Sequence, residues 1–278
     1  MQDLIIYKFD QWTPQENDNY IIGAFEAFHL GHFQLYKKLL NNSGRKVIVT
    51  FNNENLYKDA NYFFQDNHSK YLNFAKLNID CVVELDFQDI KNQSGQDFIN
   101  KLTNNLPAKV IVGKDFRFGK NAKYKASDLS LINPNLQVEI LEFYKFNNSK
   151  ISTSELKQLV EFGDIKLLNS LLVYNYNFSG TLNIDASVEL NPNLTPLHSG
   201  IYLAKFVIKN FLYYGLFIKE FNKNCYIYIF DLDLDIKIEQ TIDIEIFYNL
   251  KLITKDESKY LNDDLIEMAK KLMLKFVN

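Results

Sequence analysis

The chain of 278 residues is short of several residue types, and each shortage excludes something. It has two cysteines, Cys81 and Cys225, both inside apolar runs, so a disulfide-stapled secreted scaffold is excluded and two packed thiols in a reducing cytosol are expected. Five prolines and ten glycines leave no room for a collagen-like or low-complexity segment. No run approaches the ~18 uncharged apolar residues of a membrane span. The start, MQDLIIYKFDQW, carries an acid where a secretion signal needs a basic segment, so a cytoplasmic protein is expected. Net charge is −3, which makes no general case for nucleic acid or an anionic membrane as partner. Nothing in the pattern speaks to oligomeric state. Arginine is scarce too, with Arg45 and Arg117 alone against abundant Asn, Lys, Ile, Phe and Tyr, the residue usage of an AT-rich genome.

What is there is a folded chain, 47% hydrophobic and 15% aromatic. There are four histidines, and two of them, His29 and His32, sit three residues apart in IIGAFEAFHLGHFQLYKKLL. An apolar run enters this segment, Gly31 lies within it, and Phe33, Leu35, Tyr36, Leu39 and Leu40 follow at helical spacing. A strand, a tight loop and a helix are expected, with the histidines at the helix start. Free backbone N–H groups and partial positive charge there suit a phosphate, and Gly31 would leave a ligand room to approach the backbone. A bare HxxH is equally the pattern of surface or zinc-binding histidines.

Further along, apolar runs at Val47–Phe51, Cys81–Leu85, Lys109–Gly113 and Val138–Phe143 alternate with helical patterns. That predicts βαβ units around a parallel sheet, with ligands at the carboxyl ends of the strands. Ser152 to Leu172 reads as a helix interrupted at Gly163-Asp164. Beyond it come strand-like segments at Phe178–Ile184, Gly200–Ile208, Phe211–Ile218, Cys225–Leu232 and 236–252, with alternation already visible from Asp235. They predict a small antiparallel β-barrel or sandwich, closed by an amphipathic helix from Asn262 to Phe276. The fold class expected is α/β plus β, with a boundary near residue 176: domains 1–175 and 176–278.

Three more segments could carry chemistry. VGKDFRFGK holds Asp115 between a strand end and two aromatics, Phe116 and Phe118, that could flank a flat ring, with Gly119 after them. ISTSELK puts hydroxyls and Lys157 at a helix start, which could hold a phosphate. Thr50-Phe51 ends a strand.

In this order and spacing, GAFEAFHLGH, VTF, VGKDFRFG, ISTSELK and NSLLVYNYNFSGTL resemble the prokaryotic bifunctional riboflavin kinase/FAD synthetase family. The resemblance runs from about Tyr20 to Gly180 and more weakly beyond. It implies a Rossmann-like HxGH nucleotidyltransferase domain that transfers AMP from ATP to FMN with Mg²⁺, giving FAD and pyrophosphate, followed by a riboflavin-kinase-like barrel. It implies that Gly23, Phe25, His29, Gly31, His32, Thr153, Ser154 and Lys157 bind ATP, with His29, His32 and Lys157 catalytic. Thr50, Asp115, Phe116, Phe118 and Gly119 fall on the FMN side; metal ligands are not implied. Departures are plain. The usual GNFDGVH is GAFEAFH, with Ala24, Glu26 and Ala27; the usual TFxPHP is TFNNEN; and Lys157 replaces an arginine, losing its two-pronged donor. The kinase signature Pro-Thr-Ala-Asn is absent after Gly180, and Tyr226 stands where the family has its catalytic glutamate. A tyrosine is no general base near neutral pH. The expectation is an FAD synthetase whose barrel has lost kinase activity. The alternatives are a fully bifunctional enzyme, or a non-catalytic flavin- or nucleotide-binding protein that uses its barrel for interaction.

Overall fold

The computed structural model describes residues 3–56, 62–221, 224–232, 236–256 and 260–277. The chain divides into two compact units, residues 1–61 with 70–151, and residues 62–69 with 152–278.

The first unit is built on six parallel strands: β1 (Ile5–Lys8), β2 (Asp18–Ile22), β3 (Lys46–Phe51), β4 (Cys81–Leu85), β5 (Ala108–Gly113) and β6 (Leu136–Leu141). Their spatial order is β1-β4-β3-β2-β5-β6. The expected parallel sheet is therefore present, and β2 and β3 lie at its centre, where both faces are covered. Every residue of β2 and β4 is buried, and their apolar parts, Tyr20–Ile22 and Cys81–Val83, run continuously instead of alternating. Helices α1 (Leu30–Leu40), α2 (Asn67–Phe74, of which this unit holds the part from Lys70 on) and α3 (Gly95–Thr103) fall between strands. Ser94 caps α3 by accepting from Asp97 N, and Asn104 closes it in the left-handed conformation. The core of this unit packs Tyr20, Val47, Val83, Phe98, Val110 and Phe118 with their neighbours.

The second unit holds α4 (Thr153–Phe162) and α5 (Ile165–Leu171), broken as expected at Gly163, whose φ of +72° ends α4. Then come β7 (Asn177–Leu182), β8 (Ser187–Leu190), β9 (Gly200–Ile208), β10 (Phe211–Lys219), β11 (Cys225–Ile229), β12 (Gln240–Leu252) and the last helix, α6 (Asp263–Val277). The six strands close a barrel in the order β7-β8-β11-β10-β9-β12, all antiparallel. Two details differ from the sequence reading. β8, which follows a turn at Ala186 with φ +64°, was not foreseen. The strand expected over 236–252 starts only at Gln240, where its pairing with β7 begins at Leu182↔Gln240; residues 236–239 are not in a strand. The first residue of that alternation, Asp235, lies outside the described residues. Both cysteines are buried free thiols, as expected.

Candidate active site

The carboxyl ends of β2, β3 and β5 bring together most of the residues singled out in the first unit. At the end of β2, Gly23 N donates to Val49 O at 3.1 Å, and the chain turns through Phe25, a buried residue held at φ +44°. Its ring stands edge-on to His32, 4.9 Å away. His29 is the N-cap of α1. Its Nδ1 accepts from Gly31 N at 3.0 Å and His32 N at 3.4 Å. The helix-start N–H groups that the sequence suggested for phosphate are thus partly taken by the protein's own imidazole. The room above Gly31 is taken as well. A Cβ there would lie 2.9 Å from His29 Cε1, so the glycine makes space for the histidine ring and not for a ligand.

The two rings stack, 3.8 Å between centroids and 19° from parallel. Their partners fix the tautomers. His29 Nδ1 accepts, so its proton is on Nε2. His32 Nδ1 lies 2.8 Å from Ala27 O, which can only accept, so His32 carries its proton on Nδ1. Burial first, then the neighbouring His32 and Lys150, push the His29 pKa down to about 2. Burial likewise pushes His32 down to about 4, against the opposing pull of the Ala27 carbonyl and Asp115. Both rings are neutral near pH 7. His29 then offers an anion one Nε2–H donor, and a fixed positive charge has to come from another group.

A positive charge that acts on both rings belongs to Lys150, which the sequence reading did not single out. It ends a two-residue strand, Ser149–Lys150, paired with Lys145–Phe146 through a turn at Asn147 and Asn148, both at positive φ. Lys150 is ion-paired with Asp115 and lies over the Phe143 ring at 4.6 Å. Asp115, expected beside the flavin, is engaged with this lysine and does not line the cavity described next.

A cavity of about 620 Å³ opens at the same strand ends. Its walls include Gly23, Ala24, Phe51, Phe116, Phe118 and Gly119. Phe116 and Phe118 are stacked, 5.4 Å apart and 15° from parallel. Gly119, at φ +71°, is pressed on the start of α3, where a Cβ would meet Gly95 N at 2.7 Å. Lys120 N donates to Gln93 O at 2.7 Å and holds the loop there. Another part of the wall, with Phe87, Ile90, Lys91 and Asn92, comes from a single helical turn, Phe87–Ile90, capped by Asp86, which the sequence reading did not single out. Thr50 is fully buried and is not in the wall; its hydroxyl donates to Ala24 O at 2.6 Å.

Thr153, Ser154 and Lys157 open α4, in the second unit. Ser152 caps that helix by accepting from Glu155 N, and the Glu155 carboxylate accepts from Ser152 N. Lys157 Nζ donates to Tyr62 O at 2.6 Å within the same unit. Among the described residues, no group of three or more His, Cys, Asp or Glu side chains forms a metal cluster, and no helix is long and apolar enough to cross a membrane.

Comparisons with known proteins point to one family. A relative from Listeria monocytogenes, named bifunctional riboflavin kinase/FMN adenylyltransferase, is 25% identical over 233 residues, 74% of this chain and 73% of its own. One of the same name from Buchnera aphidicola is 27% identical over 261 residues, 83% of this chain and 80% of its own. A crystal structure described as a macrolide-efflux protein from Streptococcus pneumoniae superposes with a TM-score of 0.77 over 99% of both chains at 19% identity, a likeness of fold. The sequence profile of the FAD synthetase family matches residues 13–155, just over half of the chain. With the stacked histidines and the aromatic cavity on the same strand ends, this chain belongs to the FAD synthetase family and is a nucleotidyltransferase that makes FAD from FMN and ATP.

Proposed function

We propose that residues 1–175 carry out the adenylyl transfer with the flavin ring in the cavity beside Phe116 and Phe118 and the triphosphate over the histidine pair. The observation that carries this reading is the location of both features at the carboxyl ends of β2, β3 and β5. An FMN phosphate oxygen attacks the α-phosphorus of ATP; the bond to the pyrophosphate oxygen breaks, and pyrophosphate leaves. No covalent enzyme intermediate is needed, so the chain's work is positioning and charge stabilisation. His29 donates from Nε2 to a phosphate oxygen. His32 takes up a proton when the polyanion arrives, because the incoming negative charge favours the imidazolium that burial disfavours. Lys150 leaves Asp115 to meet the same charge.

Thr153, Ser154 and Lys157 are assigned to the triphosphate by their match to the family's motif and by the chemistry of a helix start. Gly23, Phe25 and Gly31 act on ATP indirectly, by shaping the loop and seating His29. Thr50 acts on the FMN side through Ala24. Magnesium supplies charge neutralisation to the phosphates when bound. A magnesium ion that arrives on ATP needs only one or two protein carboxylates, and Asp115, beside the histidines, fits that role. The transferase function is assigned to residues 1–175, in the cytoplasm, with small-molecule substrates.

The barrel, residues 176–278, is read as a riboflavin-kinase-like module without kinase activity. Tyr226, at the position of the family's catalytic glutamate, packs with the apolar cluster of Ile201, Leu216, Ile218 and Met273. A second reading, in which the chain also phosphorylates riboflavin, is favoured by the names of the Listeria and Buchnera relatives. A product assay decides. FMN, ATP and Mg²⁺ should give FAD, and riboflavin, ATP and Mg²⁺ should give no FMN. FMN formation at an ordinary enzymatic rate establishes the second reading; FMN and ATP binding without any FAD would leave only a binding protein.

A further inference from the structure

Lys70 is a completely buried lysine that none of these roles uses. It sits on α2 and reaches under the end of β3. Its Nζ donates to Phe51 O at 2.5 Å and to Asn53 Oδ1 at 2.9 Å, with Thr50 Oγ1 at 3.5 Å. Thr50 Oγ1 in turn donates to Ala24 O at 2.6 Å. One ammonium therefore gathers the last residues of β3 and, through Thr50, the loop that leads from β2 to the histidines. Phe51, Ala24 and Gly23 form the wall of the cavity on that side. This is also the stretch where the sequence has Asn53-Glu54-Asn55 in place of Pro-His-Pro. A proline-rich turn is stiff by itself, whereas this one is tied by hydrogen bonds to a buried cation.

We propose that Lys70 is a positioning residue for FMN: its ammonium holds the strand end of β3 and the Ala24 loop in the shape that receives the flavin. The inference rests on the reading of the cavity as the flavin pocket. The groups that face Lys70 define its charge. Glu84 on β4, Glu26 in the loop before α1 and Glu54 after β3 all favour the ammonium, and the Tyr71 ring lies 5.5 Å from Nζ. Burial outweighs them and brings the lysine down to about 7. The ammonium has three donors for three acceptors; the neutral amine has two. Above pH 7 the tie to the strand end loosens, and FMN capture should weaken with it.

The test compares the unsubstituted protein with Lys70→Met and Lys70→Arg. In Lys70→Met, KM for FMN should rise at least ~10-fold, while KM for ATP and kcat change less than ~3-fold. The ratio of kcat/KM for FMN between the unsubstituted protein and Lys70→Arg should fall as pH rises through 7, since the arginine stays charged. Ionisations of FMN and ATP are common to both proteins and cancel in that ratio. In the unsubstituted protein, the amide NMR signals of Ala24, Phe51 and Asn53 should titrate together near pH 7, which keeps the test decisive if a variant does not fold. The proposal is overturned if those signals do not move between pH 6 and 8, or if folded Lys70→Met keeps its KM for FMN. Failure of the flavin-pocket reading shows separately: the unsubstituted protein would then make no FAD, or Phe118→Ala would leave FMN affinity unchanged.

Discussion

α1 and α4 both begin on a side-chain cap at a position matched to phosphate binding, yet they are built in opposite ways. α4 has a self-sufficient start. Ser152 and Glu155 satisfy each other's N–H groups, and the carboxylate in the first turn already answers the helix dipole. α1 has no acidic residue in its first turn. Its cap is a neutral imidazole that leaves Nε2–H to point elsewhere, and its second histidine is held neutral by burial. The same local grammar thus gives one helix start that is electrostatically complete and one that lacks an anion. The lesson is that a capping motif by itself marks no site. What marks one is a cap made from a side chain that still has a donor to give, beside a cation such as Lys150 whose own partner, Asp115, lies at the same site.

Four measurements would break or sharpen that contrast. The largest effect is expected from His29→Ala or His32→Ala, each reducing kcat by ~10²-fold or more, the scale of a lost transition-state donor. Rates within a few-fold of normal would remove α1 from the mechanism. Lys150→Met should come next, with a loss of ~10-fold or more in kcat/KM for ATP and partial rescue by arginine. The histidine signals would rise in pKa at the same time, because the lysine's charge lowers both. Unchanged His29 and His32 titrations would show that Lys150 does not act on the pair.

The third measurement is acid stability. Both histidines have folded pKa values below the unfolded value of 6.5, so the unfolded chain binds protons first. Their contribution is intact above pH 6.5. It is lost as pH falls, by up to roughly 1.4 kcal/mol per pH unit per histidine, until the folded values near 4 and 2 are reached. Urea midpoints should fall between pH 6.5 and 4, and His32→Ala should flatten that slope. The smallest effect is Ser152→Ala, which should cost about 1 kcal/mol in stability through the lost cap and leave kcat within a factor of two. A large loss of kcat there would mean that the start of α4 does more than hold a helix.

Much of this was legible in the sequence because it is carried by local pattern. The buried strands β2, β3 and β4 show as apolar runs, the break at Gly163 as a glycine, and the barrel as alternation. The histidine pair was visible because three residues fix its placement. What was not legible depends on chain-distant geometry. The folding back of His29 over Gly31 turned an apparent ligand space into a seat for a ring. The pairing of Asp115 with Lys150 joins residues 35 positions apart. Lys70 looked like any polar position on a helix, and in a chain this rich in lysine composition cannot say which one is buried. β8 escaped because its few residues pair at both sides and need no period of their own.

The closure of the barrel has a consequence for how the protein behaves in concentrated solution. Among the described residues each of its strands has two neighbours, so none of them is an edge strand open to another chain. The parallel sheet has two rims, β1 and β6, and these carry exposed Ile5, Ile6 and Ile140. β1 is only four residues long, and β6 sets Glu139 into pairs with Lys38 and Lys109, both features that discourage strand addition. Aggregation on storage or during refolding should therefore begin at the rims of the sheet, and a single charged replacement at Ile5 or Ile140 is the change that would improve handling without touching the chemistry.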